Sequence, residues 1–400
     1  MSDEQLYEGR EQSLVKHMML RRYLQRFAFI IGARWNSITY VDCFSGPWNS
    51  RSDDFADTSF GIAINELRNA RDALRETQGR QIQLRCFFLE KSKSAYAQLR
   101  EFVDTIDDVE IQTRNAVLED SVDEIVEFAQ REGPQSFPFV FIDPTGWTGF
   151  ALDVIQPLLA LNPGEVLIIF MTGHVRRFID APDTETQQSF ERLFGSVDFR
   201  ANMSGLERSD RDDAAVFQYM RNVKTAGGFG YASPAVVLQP EINRSHFHLI
   251  YLTRNPKGIE VFKDAERQAM RDMESARAQA QQSRRQQKSG GQKELFSAEE
   301  LHDSTYFDEI RDRYLDLAMN DVLRELENKR RISYDELWTA ALSFPLVWEA
   351  DLKAWISAWA SSGQLTIEGM KPRQRVPRRN EHNVLVWNEL IDIGDVPTTQ

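Results

Sequence analysis

Two apolar runs set the frame of this chain. Residues 38–44 (ITYVDCF) and 139–142 (FVFI) are rich in β-branched and aromatic side chains, and they deliver the aspartates Asp42 and Asp143 before breaking at Gly or Pro. Such a run predicts a buried parallel strand that presents polar residues at the carboxyl edge of a sheet. Around them the pattern switches repeatedly between period 2 and period 3.6. It predicts helix over 11–33, a polar loop over 49–59, helix over 60–78, and strand over 83–89 closing on Glu90. Helix 92–104, strand 109–113, helix 118–131, helix 150–160 and strand 165–171 continue the series. This βαβ alternation predicts a parallel sheet with helices on both faces.

Residues 175–232 read as mostly helical, with a stop at Thr225-Ala226-Gly227-Gly228. Two strands follow, 235–238 and 247–253. The short loop between them makes them antiparallel neighbours. Five parallel strands and then an antiparallel hairpin is the seven-stranded plan of the Rossmann-like S-adenosylmethionine (SAM) methyltransferases. A helix is expected over 256–280, and 279–293 (QAQQSRRQQKSGGQK) has the Gln/Ser/Gly composition of a mobile linker. Helices at 304–328, 333–342 and 348–361 and strands at 364–368 and 383–387 form a winged-helix pattern. The expected class is therefore α/β: a Rossmann-like domain over 1–255, a helix and linker over 256–300, and a winged-helix-like domain over 301–400.

Composition narrows the class further. At 42% hydrophobic and 27% charged, the 400 residues suit a soluble globular protein. We find no apolar run long enough to span a bilayer, so no membrane partner is expected. The polar, acidic start MSDEQLYEGREQ does not read as a secretory signal. Cys43 and Cys86 give neither a zinc cage nor a disulfide framework, and a cytoplasmic protein is expected. The net charge of −13 argues against binding nucleic acid over the whole surface. It leaves room for local basic patches at 16–34 (Arg21, Arg22, Arg26) and at 371–379, KPRQRVPRR, between the last two strands.

The strand ends carry the candidate chemistry. Asp42, Phe44 and Gly46 form a D-x-F-x-G turn like that at the SAM site of DNA cytosine-C5 methyltransferases; glycine lets the backbone approach a ligand closely. Glu90 is placed to accept hydrogen bonds from ribose hydroxyls, and Asn115 to face an adenine edge; the competing reading of Glu90 is a surface acid paired with Lys91 or Lys93. Asp143-Pro144-Thr145-Gly146-Trp147 resembles the D/N-P-P-Y/F/W motif of amino-group methyltransferases of nucleic acids, without its second proline. There Asp143 would hold the acceptor amine and Trp147 would stack on an extruded base; the competing reading is an Asp-Pro turn with a packed Trp. His174, Arg176 and Arg177 follow the fifth strand at the same edge and could meet phosphate. Lys371, Arg373, Arg375, Arg378 and Arg379 would do so from the wing. His246 and His248 lack the Cys or carboxylate company of a metal site, and no metal is expected.

With these motifs in place the chain resembles the bacterial three-Cys-motif partner proteins (TcmP). RRYLQRF precedes the first strand, VDCFSGP is similar to the family's D-x-F-A-G-P-G, and FFLEKS to its acidic second-strand end. FIDPTGW is similar to its D-P-F-G, and HLIYLTRNPKGIEVF to its late strand. The resemblance covers about residues 14–270. It implies a methyltransferase-like fold and a partner with a three-cysteine motif, in a system acting on DNA or RNA in defence or repair. Three departures stand out. Trp48 replaces the family's second glycine, Thr58-Ser59-Phe60 replaces its Gly-Ser-Pro, and VLIIFMTGH lacks its fifth-strand Asn. The leading expectation is a SAM-dependent methyltransferase-like protein on nucleic acid. A second is a non-catalytic recognition partner, favoured by Trp48. A third is a hydrolase holding a divalent metal with Asp42 and Asp143.

Overall fold

The computed structural model describes Tyr7 and residues 10–46, 50–52, 54–203, 205–288, 297–298 and 301–388. The chain divides into two compact units, Met1–Tyr306 and Phe307–Gln400.

The first unit opens with helix α1 (Glu11–Gly32), then β1 (Ser37–Asp42), α2 (Ser59–Gln78), β2 (Gln83–Leu89), α3 (Lys93–Val103) and β3 (Glu110–Arg114). It continues with α4 (Val122–Gln130), β4 (Ser136–Ile142), α5 (Leu152–Leu159) and β5 (Glu165–Phe170). Three helices follow, α6 (Thr172–Phe178), α7 (Thr184–Phe194) and α8 (Arg208–Ala226), then β6 (Tyr231–Leu238), β7 (Ser245–Thr253) and the long α9 (Pro256–Lys288). The strands form one sheet in the order β3-β2-β1-β4-β5-β7-β6. β1 to β5 are parallel, and β7 is antiparallel to both β5 and β6. This is the seven-stranded order of the SAM-dependent methyltransferase fold.

The sequence explains the order locally. β1, β4 and β5 are buried along their whole length, as strands covered on both faces must be. β6 carries Pro234, which cannot donate to a ladder, and β6 is an edge strand. Pro138 lies in β4, but pairing with β5 begins only at Phe139, so one side of β4 is open there. Ser92 caps α3 and Thr58 caps α2 through their hydroxyls. Arg85 is buried in β2 and is satisfied by Glu110, by the Phe128 carbonyl and by the Phe128 ring.

At the amino edge, Glu165 is buried and accepts from Tyr23 Oη at 2.5 Å and Thr253 Oγ1 at 2.9 Å, and Tyr23 also pairs with Tyr251 at 2.6 Å. Burial raises the Glu165 carboxyl above its ordinary range, against the pull of these hydroxyls. Gly258, in the first turn of α9, lies against this network. α9 itself runs on through 279–288, where composition suggested linker; 289–293 lie outside the described residues. No helix among the described residues is long and apolar enough to cross a membrane.

The second unit contains α10 (Thr305–Lys329), β8 (Arg331–Ser333), α11 (Tyr334–Ala341), α12 (Glu349–Ser361), β9 (Leu365–Glu368) and β10 (Val384–Trp387). The strands form a small antiparallel sheet in the order β8-β10-β9. Helix, strand, two helices and a hairpin is the winged-helix plan. β8 is the element the pattern does not reveal, because three residues are too short to show alternation.

Candidate functional site

The carboxyl ends of β1, β2 and β3 are stitched to one another. Asp42 lies opposite Phe88 of β2 and Phe141 of β4. Its carboxylate accepts from the Phe44 amide at 3.1 Å and from Ser59 Oγ at 2.5 Å, and Ser45 Oγ bonds its carbonyl. Ser45 N then donates to Leu89 O at 2.8 Å, which ties the β1 turn to the end of β2. Gly46 follows, half-buried; Trp48 lies outside the described residues. Burial pushes the Asp42 carboxyl up to about 6, and the Ser59 hydroxyl and Phe44 amide hold it from rising further.

Glu90 follows Leu89 directly. It is buried, so it is not the surface acid of the competing reading. Its Oε1 accepts from Ser92 N at 2.6 Å, and burial raises its carboxyl above the ordinary range. Asn115 is exposed and donates Nδ2 to Glu90 O at 2.7 Å, so part of its side chain serves to join β3 to β2. The structure therefore brings Asp42, Phe44, Gly46, Glu90 and Asn115 to one stretch of the edge.

The end of β4 is arranged differently. Asp143 is paired with Lys16 of α1 at 2.5 Å, with both side chains mostly buried. Trp147 is packed: its ring lies 4.5 Å from that of Phe178 and 5.5 Å from that of Phe190, and its N–H donates to Ser189 at 3.0 Å. This is the packed tryptophan of the competing reading, a wall of the site and not a free stacking surface. His174 meets the edge of Trp147 at 6.1 Å. Burial and Arg177 lower the His174 pKa; burial, His174, Lys16 and Arg176 lower that of His246. Both imidazoles are neutral at neutral pH. Thr172 bonds His248 at 2.7 Å, and burial takes His248 down to about 3.

Arg176 differs from expectation. It is an ion-pair partner of Asp212 and bonds Ser245 Oγ at 2.6 Å, with only 9% of its side chain exposed, so it holds α6 against α8 and is not a free phosphate contact. Arg177 is exposed. The pattern gives Lys16 only as the start of a basic patch and Ser59 only within Thr58-Ser59-Phe60, and does not single out Asp212; the partners of all three come from the fold. Ser59 sits in the helix-start pattern Thr58-Ser59, which was a readable signal; Lys16 and Asp212 lie in ordinary charged helix faces and left none. Among the described residues no group of three or more His, Cys, Asp or Glu is arranged to hold a metal ion.

In the second unit the wing carries Arg373, Arg375 and Arg378 exposed. Lys371 pairs with Glu381 at 2.9 Å but remains largely exposed. Arg379 again departs from expectation: its guanidinium lies 4.4 Å from the centre of the Trp338 ring, with 12% of the side chain exposed, so it packs the unit and is not offered to phosphate. Asn383 accepts from Arg378 N and donates to Gly369 O, and so fixes the tip.

The donor set at the β1 and β2 ends fits a nucleoside. A buried carboxylate stands beside a glycine turn, the combination that binds a ribose and lets a backbone come close. Glu90 would hold the ribose hydroxyls, and the Ser45–Gly46 backbone would follow the chain beyond them.

No family model matches the chain, and no curated protein does. Solved structures similar to it include protein LPL1258 from Legionella pneumophila, 12% identical, covering 61% of this chain and 85% of that one, with a TM-score of 0.35. Another is the O-methyltransferase TomG from Streptomyces achromogenes in complex with SAM, at 14% identity, 59% and 79% coverage and a TM-score of 0.28. A third is loganic acid methyltransferase with SAH, at 8% identity, 70% and 88% coverage and a TM-score of 0.30. Matches at this level bear on no residue of the site; the fold assignment rests on the strand order itself.

Proposed function

We propose that this chain binds SAM at the carboxyl edge of β1 and β2 and is a methyltransferase-like protein directed at nucleic acid, working with a three-cysteine-motif partner. One observation carries the reading. The Ser45 N to Leu89 O bond ties the residue before Gly46 to the residue before Glu90, in a sheet of the methyltransferase order. When bound, the cofactor supplies an electrophilic methyl group. Glu90 holds the ribose, the amide oxygen of Asn115 meets the adenine edge, and Asp143 orients the acceptor. Calorimetry with SAM and S-adenosylhomocysteine tests the reading. Binding is expected, and Glu90→Ala should weaken it by about 1–3 kcal/mol, the range for an unpaired buried partner. Absence of heat and of any thermal shift at millimolar ligand would sink it.

The Lys16–Asp143 ion pair favours a second reading, a recognition protein that keeps the fold without the chemistry, because it occupies the residue the acceptor needs. Transfer of labelled methyl groups to DNA and RNA separates the two. On the enzyme reading, Asp143→Ala abolishes transfer and leaves SAM affinity unchanged. Retained turnover in that variant places the reaction elsewhere, and no transfer by the wild type supports the second reading.

A further inference from the structure

Between α6 and α8 lies a cavity of about 340 Å³. Thr172, Val175, Arg176 and Ile179 line one side at helical spacing, and Arg211, Asp212 and Ala215 line the other. α6 starts two residues after β5 ends, and β5 is the sheet neighbour of β4. The cavity therefore lies by the carboxyl end of β5, the sheet neighbour of the strand that leads into Asp143.

Its chemistry limits what it can hold. Two ion pairs cross between the sides, Arg176 with Asp212 and Arg211 with Asp180. Their charges cancel, so the cavity offers no net charge to a phosphate or a carboxylate. Val175, Ile179, Ala215 and the half-exposed Leu206 supply apolar walls. Hydrogen-bond donors are left over. The hydrogen bonds of Arg176 run through Nε and Nη2, so its Nη1 has no acceptor among the described residues. Arg211 Nε is buried without a partner. A neutral ligand with a flat apolar body and paired acceptors satisfies all of this. The volume is at the lower end of the roughly 300–1,000 Å³ typical of small-molecule sites, which suits one ring system and excludes a whole dinucleotide.

We propose that this cavity seats an unpaired nucleobase, with guanine its best fit because O6 and N7 are adjacent acceptors, one for Arg176 Nη1 and one for Arg211 Nε. The exposed Arg177, one residue beyond Arg176, then meets the phosphate of the same nucleotide. The proposal rests on the nucleic-acid reading above and adds the substrate class: single-stranded or locally opened nucleic acid presenting a base.

The test is fluorescence anisotropy with a labelled thymine-run strand containing one guanine, against the same strand abasic at that position. The wild type should prefer the guanine strand by about tenfold or more. Ala215→Phe, which fills the cavity, and Arg211→Met, which removes a donor, should erase that preference while the heat of SAM binding stays as in the wild type. Should Ala215→Phe fail to fold, Leu206→Asp at the mouth replaces it with the same expectation. No preference for the guanine strand in the wild type, or an unchanged preference in the filled or mouth-blocked variant, overturns the proposal. Calorimetry keeps the two readings apart: lost SAM binding with intact guanine preference fails the donor site and leaves the cavity standing.

Discussion

Asp42 is held where it stands at a cost to stability. It is completely buried, and its carboxyl titrates near 6 in place of about 3.8. Between about pH 4 and 6 the folded protein keeps a proton that the unfolded chain has lost. The folded state binds more protons, so stability falls as pH rises through that window. Above it the residual cost is roughly 3 kcal/mol, two units at about 1.4 kcal/mol each. Asp42→Asn keeps one acceptor oxygen for the Phe44 amide, turns the bond to Ser59 round so that the new NH2 donates to Ser59 Oγ, and removes the charge. Denaturant midpoints measured from pH 4 to 8 should show the variant more stable by about 1–3 kcal/mol at neutral pH and flatter across the window. Parallel profiles for the two proteins would show that the carboxyl is not neutralised on folding. A charge kept in place against its own stability cost points to function.

At the scale of elements, α9 is seated by a single glycine. A Cβ on Gly258 would stand 2.2 Å from Tyr251 Oη and 3.0 Å from both Glu165 Oε1 and Thr253 Oγ1. Those atoms are hydrogen-bonded to one another or to Tyr23 and have little room to give. Gly258→Ala should therefore cost about 1–3 kcal/mol, the range for overpacking, as read from chemical denaturation. A neutral result would mean that the network yields. The elements themselves were largely legible. β1, β2, β4 and β5 follow from apolar runs, and the antiparallel hairpin from the short loop after β6. What pairing places could not be read. Lys16 and Asp143 are 127 positions apart, Arg176 and Asp212 are 36, and neither pair leaves a period in the sequence. The same limit made Arg379 look like its exposed neighbours, because only the folded unit brings Trp338 beneath it. Of the candidate site, the β1 and β2 ends were legible because a turn and a strand end are local. The β4 end was not, because α1 and α7 complete it.

On the scale of the whole molecule, the −13 net charge repels nucleic acid, so contact should depend on the few cations that are free. In the wing these are Arg373, Arg375 and Arg378. Replacing all three with alanine should lower duplex affinity across sequences and flatten the dependence of log K on log salt by about two to three units, at about 0.9 per phosphate. Arg379→Ala should instead lower the melting temperature of the second unit, through loss of its stacking on Trp338. Unchanged affinity and salt slope in the triple variant, measured by anisotropy, would assign the wing to another task. The sheet order has a consequence for biosynthesis. β7 lies between β5 and β6, so the edge of β5, with the run EVLIIF, stays open until roughly 80 further residues have been made. At roughly 5–20 residues per second that is about 4–16 s of an apolar strand without its neighbour. A ribosome leaving the message inside that interval releases a template for edge-to-edge aggregation, and a slow stretch of codons there would prolong the need for a chaperone.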